Sequence, residues 1–211
     1  KFERENHLSL ADRQKEAVQK ALESGVLVIT GGPGTGKTTL VRAVITAARQ
    51  FQKKVRLMAP TGRAAKRLSL SSGMNADTIH KALEAELHDS GSTFFNRNES
   101  DPLKEDIIIV DEASMMDISL FYHLLCALKE GARLILVGDI DQLPPVGPGS
   151  PLKDLISWGK VPVVRLEHIF RQKEGSGIID NAARIRHGDM CFPDEEGEFS
   201  IYYASSEMDA F

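Results

Sequence analysis

Residues 31–38 read Gly31-Gly32-Pro33-Gly34-Thr35-Gly36-Lys37-Thr38 and fit the pattern G-x-x-x-x-G-K-[ST]. The chemistry explains the spacing. Glycines let successive backbone N–H groups curl around an anion, and a helix opening behind them adds the positive end of its dipole. Lys37 has the reach to touch the β- and γ-phosphates of a nucleotide, and Thr38 offers a hydroxyl to Mg2+. Thr39 follows in the same turn. A second constellation, Asp111-Glu112, stands directly after Ile-Ile-Ile-Val at 107–110. An acid at the end of a buried strand lies where ligands of open α/β sheets bind. Asp111 is placed to hold Mg2+, and Glu112 is a candidate base for an attacking water. Together the two motifs predict a site for a nucleoside triphosphate with Mg2+.

These residues need elements to hold them. Five short apolar, β-branched runs, at 26–30, 55–59, 107–110, 134–137 and 163–166, have the length and continuity of strands covered on both faces. Helical patterns lie between or beside them, at 11–23, 40–51, 62–70, 78–87 and 118–129, with Thr61, Asp77 and Asp117 as N-cap candidates and Gly131 as a stop signal. A further helix is expected near 176–186 and a last short strand at 201–204. Alternating strands and helices imply a parallel α/β sheet with right-handed crossovers. Two stretches break the rhythm. Residues 89–104 read as an inserted hairpin, and 141–151, with four prolines and two glycines, as a stiff irregular loop.

The balance of 42% hydrophobic, 27% charged and 6% aromatic residues is that of a globular chain rather than a disordered or fibrous one. Cys126 and Cys191 are too few for a disulfide scaffold and read as free thiols of a reducing, cytoplasmic compartment. No apolar run approaches the roughly 18 residues that a membrane helix needs. The net charge of −4 argues weakly against a polyanion partner, but its distribution argues for one. Between Ser24 and Ala76 there is no Asp or Glu, while Lys37, Arg42, Arg49, Lys53, Lys54, Arg56, Arg63, Lys66 and Arg67 all fall there. A basic block inside an acidic chain suits a phosphate-binding face.

Several motifs occur in a fixed order: Leu10-x-x-x-Gln14-x-x-Ala17, the phosphate loop to Thr39, APTGRAAKRL (59–68), TIH (78–80), VDEASMMD (110–117), VGDIDQLPPVGPG (137–149) and IFRQ (169–172). In this order they resemble the N-terminal motor lobe of a RecD-like superfamily 1 DNA helicase, related to the TraA-type conjugative helicases, over nearly the whole span from Leu8 to about Arg186. The resemblance implies a P-loop NTPase fold, a RecA-like lobe at 1–88 and 105–190, with 89–104 as a strand-separating pin and 191–211 starting the connection to a second RecA-like lobe. It also implies residue roles. Gln14 would contact the adenine edge, with residues 31–39 on the phosphates. Gln142 would sense the γ-phosphate, and Arg171 would reach it from the lobe boundary. Pro60, Thr61, Arg63, Thr78 and His80 would lie along single-stranded DNA. Nuclease or helicase subunits would be further partners.

The residues themselves leave choices open. His80 either stacks on a base or packs within the fold. Phe94 and Phe95 either wedge a duplex or pack under the insertion. Pro144 and Pro145 read as loop stiffeners, Met115 and Met116 as core or loop filler, and no histidine or cysteine spacing suits a metal. A superfamily 1 RNA helicase lobe, a nucleotide-gated binding subunit and a small-molecule kinase are the competing functions. With no initiator Met and no second phosphate-fold pattern, the chain is expected to be a piece that alone binds ATP weakly, hydrolyses it slowly and does not unwind DNA.

Overall fold

The computed structural model describes residues 2–87, 93–166, 181–182, 184–185, 188–193 and 200–201. The chain divides into compact units at 1–170 and 171–211. In the second unit Asn181 Nδ2 donates to Phe192 O, and the Phe192 N–H donates back to Asn181 Oδ1.

The first unit is built on β1 (Val26–Gly31), β2 (Val55–Ala59), β3 (Ala76–Thr78), β6 (Ile107–Val110), β7 (Arg133–Gly138) and β8 (Val163–Leu166). They form one parallel sheet in the order β3-β2-β6-β7-β1-β8. The five apolar runs are therefore the strands expected, and the parallel α/β class holds. Alternate side chains of each strand enter separate cores. Leu27, Ile29, Leu57, Ile107, Ile109, Ile135 and Val137 pack with helices α2 (Asp12–Glu23), α3 (Lys37–Gln50) and α4 (Gly62–Ser72). Val28, Met58, Ile108, Val110, Leu134 and Leu136 pack on the opposite face with α5 (Ile79–Ala82), α6 (Ile118–Cys126) and α7 (Pro151–Trp158). A short helix, α1 (Phe2–Asn6), leans on α3.

The helix expected at 78–87 does not form as one piece. Thr78 caps α5 through its Oγ1, which accepts from the Lys81 N–H, but Glu84 takes a left-handed φ of 53° and ends the helical run. Beyond it, β4 (Ala85–Leu87) pairs antiparallel with β5 (Thr93–Phe95). The hairpin thus begins inside the stretch assigned to the lobe rather than at residue 89. Its base is fixed by Arg97, which bonds Glu84 and Asp101. Phe95 is buried in the core beneath it and Phe94 is half exposed, so the two residues divide between the two readings.

Candidate functional site

Sheet order decides which groups meet. β7 lies between β1 and β6, in register Thr30↔Gly138 and Val110↔Leu136, so the segments following all three strands emerge side by side. After β1, Gly34 and Gly36 adopt φ of 80° and 81°, a conformation that a side chain would resist. The turn delivers Lys37, Thr38 and Thr39 to the first turn of α3. Lys37 Nζ donates to Gly31 O at 2.6 Å and Gly32 O at 2.9 Å, and the buried Thr35 Oγ1 donates to Gly32 O at 2.8 Å. Gly31, Gly32 and Pro33 complete the loop before these turns. Burial pushes the Lys37 ammonium below the ordinary lysine range, against the opposing pull of Asp139, Glu112 and Asp111.

Asp111 follows β6 and is buried, its N–H donating to Met58 O at 2.9 Å. Burial first, and the neighbouring Glu112 charge second, raise its carboxyl above the usual carboxylate range. Glu112 has a left-handed φ of 52°, which costs about 1 kcal/mol or more in a residue with a side chain. Glu112 Oε1 accepts from Arg67 Nη2 of α4, while Oε2 is buried with no hydrogen-bond partner among the described residues. Thr38 and Asp111 are hard oxygen donors of the kind Mg2+ takes. Three carboxylates around one partly buried ammonium make a site matched to a polyphosphate–metal complex rather than to a free anion.

Two members of this cluster carry no role in the sequence reading. Asp139, just past β7, is buried, and its charge is the largest carboxylate influence on Lys37. Its backbone and side chain also cap the next turn, accepting from Gln142 N at 3.3 Å and Asp141 N at 3.1 Å. An acid directly after an apolar strand, the pattern that singles out Asp111, would have found it. Arg67 is counted only as part of the basic block, and no local signal announces its pairing with Glu112.

The other expected residues fall in separate places. Gln14 is buried in the first turn of α2, its Oε1 accepting from Ala11 N at 3.0 Å. Pro60, Thr61, His80 and Gln142 line one cleft of about 840 Å³ beside the site, together with the rings of Phe95 and His123. Arg63 is exposed on α4 and Thr78 is engaged as the α5 cap; neither lines that cleft. Arg171 lies outside the described residues. Met116 is core, Met115 is exposed in the cleft, and no group of metal-binding side chains occurs among the described residues. No helix among them is long and apolar enough to cross a membrane.

The raised proton affinity of Asp111 has a measurable consequence. A carboxyl whose folded-state affinity exceeds its unfolded one contributes stability only at low pH and loses it as pH rises through the folded value. At neutral pH the ionised Asp111 is therefore a standing cost. Asp111→Asn is expected to raise the melting temperature at pH 7 by a few degrees, with the gain shrinking as pH falls toward the carboxylate range. A variant that melts at or below the parent temperature at pH 7 would contradict this.

The family model described as an AAA domain matches residues 9–199. The chain is 40% identical over 180 residues to the ATP-dependent RecD2 DNA helicase of Deinococcus radiodurans, covering 85% of this chain and 24% of that protein. It is 36% identical over 205 residues to the RecBCD enzyme subunit RecD of Mycobacterium tuberculosis, covering 84% and 35%. The chain thus spans about a quarter to a third of the length of these curated relatives. Among solved structures, the Pif1 helicase from Candida albicans superposes with a TM-score of 0.65 at 25% identity, covering 85% of this chain and 44% of that one. Bacteroides Pif1 bound to ssDNA shares the fold, with a TM-score of 0.60 at 23% identity over 85% and 46%.

Proposed function

This chain belongs to the AAA domain family, and from that premise we propose that it is the first motor lobe of an ATP-dependent, RecD-like DNA helicase. It takes ATP with Mg2+ where β1, β7 and β6 end, and single-stranded DNA along the face carrying Pro60, Thr61, Arg63, Thr78 and His80. In this reading Lys37 grips the β- and γ-phosphates, and Thr38 and Asp111 hold Mg2+, which neutralises charge developing on the transferred phosphoryl group. Glu112 Oε2, buried and without a hydrogen-bond partner among the described residues, takes the proton of the attacking water. Gln14 meets the base. A second lobe of the same protein closes on the nucleotide and, with Arg171 at the boundary, supplies the remaining positive charge. Translocation from 5′ to 3′, nuclease or helicase subunits as partners, and a cytoplasmic setting consistent with the two free cysteines belong to the same proposal.

The observation that carries the reading is the Gln142 loop. It starts at Asp139, beside Lys37, and Gln142 lines the same cleft as Pro60, Thr61 and His80. In this reading one short segment borders both the phosphate end and the DNA face, as a motor that couples hydrolysis to a track requires. The test is ATP hydrolysis by the full-length protein with single-stranded DNA or RNA of equal length. Stimulation by DNA well beyond that by RNA is the expected result; equal or greater stimulation by RNA would assign the lobe to an RNA helicase, and none by either would end the motor reading.

Arg63 and Lys66 stand exposed on α4, next to the cleft edge formed by Pro60 and Thr61. Replacing both by Ala should weaken single-strand binding uniformly across sequences. It should also flatten the plot of log affinity against log salt by about 0.7 for each phosphate that is no longer neutralised. An unchanged slope would make them ordinary surface residues.

A further inference from the structure

We propose that Arg67 is a switch on Glu112: with no strand bound it holds the Glu112 carboxylate, and a backbone phosphate of single-stranded DNA arriving on α4 takes its guanidinium and releases that carboxylate to the nucleotide. The switch rests on the single-strand reading above and adds the residue through which the strand is felt at the site of hydrolysis.

Sheet order brings the two residues together. β2 and β6 pair in register Met58↔Val110, so the segment that opens α4 and the segment that carries Glu112 leave the sheet side by side. Thr61 Oγ1 accepts from Ala64 N and starts α4. Ala64, Ala65 and Leu68 are buried against the fold, which leaves Arg63, Lys66 and Arg67 on the exposed flank. Arg63 and Arg67 are four residues apart and are neighbours on the helix surface, and α4 carries no acid to hold either of them. Of the three cations, Arg67 is the one that crosses to the neighbouring segment, where its Nη2 donates to Glu112 Oε1. One helix flank thus offers cations to a strand and reaches the base with the last of them.

The pair is lopsided. The Glu112 side chain is largely buried, whereas that of Arg67 stands mostly in solvent. The guanidinium is therefore the partner that can leave. Its planar fork fits a phosphate as well as a carboxylate, and an ion pair with one member in solvent is weak, so a phosphate on the same flank competes for it. While Arg67 holds Oε1, the carboxylate is fixed from two sides, by the left-handed backbone at Glu112 and by the guanidinium, and its charge is shared with a cation on the outer flank of α4. Oε2 is buried with no hydrogen-bond partner among the described residues, so releasing Oε1 breaks no other bond of the carboxylate. The charge of Arg67 is also felt at Lys37 and Asp111, and its withdrawal alters the field where the phosphates and Mg2+ bind. A phosphate carries no sequence information, so any strand throws the switch.

The test uses the full-length protein and a single-stranded oligodeoxynucleotide, with ATP hydrolysis measured without it and at saturation. Arg67→Ala should raise the rate without DNA by about two- to fivefold, the scale of one exposed ion pair, and lower the fold-stimulation by DNA in the same proportion. Arg67→Lys, which keeps a cation without the fork, should fall between the variant and the parent. A binding measurement without nucleotide reads the same coupling from the other side. Glu112→Gln should bind the oligodeoxynucleotide about two- to fivefold more tightly than the parent, because Arg67 is no longer held by a charge, and adding Glu112→Gln to Arg67→Ala should bring no such gain. A merely structural ion pair would not tighten DNA binding when it is broken. Fold-stimulation of Arg67→Ala equal to that of the parent, or no gain in DNA affinity on Glu112→Gln, would overturn the switch and leave the single-strand reading standing. Rates of Arg67→Ala that fall alike with and without DNA would also overturn it, making Arg67 a fixed support of the carboxylate. No stimulation of the parent by DNA would remove the single-strand reading itself, and the switch with it.

Discussion

Glu112→Gln in the full-length protein should slow ATP hydrolysis by at least about a hundredfold, the scale of a general base, while the dissociation constant for ATP stays within about threefold of the parent. The substitution keeps the shape of the side chain and an oxygen for Arg67, but removes the charge and the ability to take a proton. The geometry makes this a clean experiment. The left-handed turn at Glu112 fixes the side chain, Arg67 holds Oε1, and Oε2 has no hydrogen-bond partner among the described residues. Arg67→Ala is the informative companion. Arg67 is 67% exposed at its side chain, against 13% for Glu112, so its loss frees the carboxylate without opening the core. A Glu112→Gln protein that hydrolyses ATP within about threefold of the parent rate would leave another group as the base, and the nucleotide-gated binding alternative would gain by it.

The second large effect concerns Lys37. Lys37→Ala should weaken ATP binding by about 10- to 150-fold, the loss expected when a hydrogen bond to a charged group is removed, and hydrolysis should fall below detection. Titration with a fluorescent nucleotide analogue measures the first and phosphate release the second. Lys37→Arg should not restore either, because a planar fork cannot occupy the small cage of Gly31 O and Gly32 O. The parent protein also carries a pH signature. Burial lowers the proton affinity of Lys37, so its ammonium is lost at a lower pH than that of an ordinary lysine, and nucleotide affinity should decline correspondingly early on the alkaline side. Nucleotide binding by Lys37→Ala equal to the parent would remove the phosphate assignment of the loop.

Much of this was legible in the sequence because the informative features are local. A strand covered on both faces must be apolar throughout, so β1, β2, β6, β7 and β8 announce themselves. β3 does not: its three residues, Ala76–Thr78, sit at the sheet edge and include Asp77, which ion-pairs with Arg56 and Lys81 rather than entering a core. The helix expected over 78–87 fails at one residue, Glu84, whose left-handed backbone is not written in any residue type. α7 was hidden in a proline-rich stretch, where Pro151 opens the helix instead of breaking the chain. In the site, the phosphate loop and Asp111-Glu112 are contiguous words. Asp139 and Arg67 join them only through the interposition of β7 and the packing of α4, relations that no window along the chain contains.

Gly147 and Gly149 mark the far anchor of the segment that starts at Asp139. A Cβ on Gly147 would lie 2.1 Å from Asp117 Oδ2, and one on Gly149 would lie 2.9 Å from Ile118 Cβ, while the Ile118 N–H donates to Pro148 O at 2.9 Å. At the near end, the Ile140 N–H reaches Thr30 Oγ1, one residue before the phosphate loop begins. The segment is thus pinned like a bridge between two piers, one on the β1 strand and one on the head of α6. Between the piers Pro144 and Pro145 fix the backbone, so the segment is held at both ends and stiffened between them.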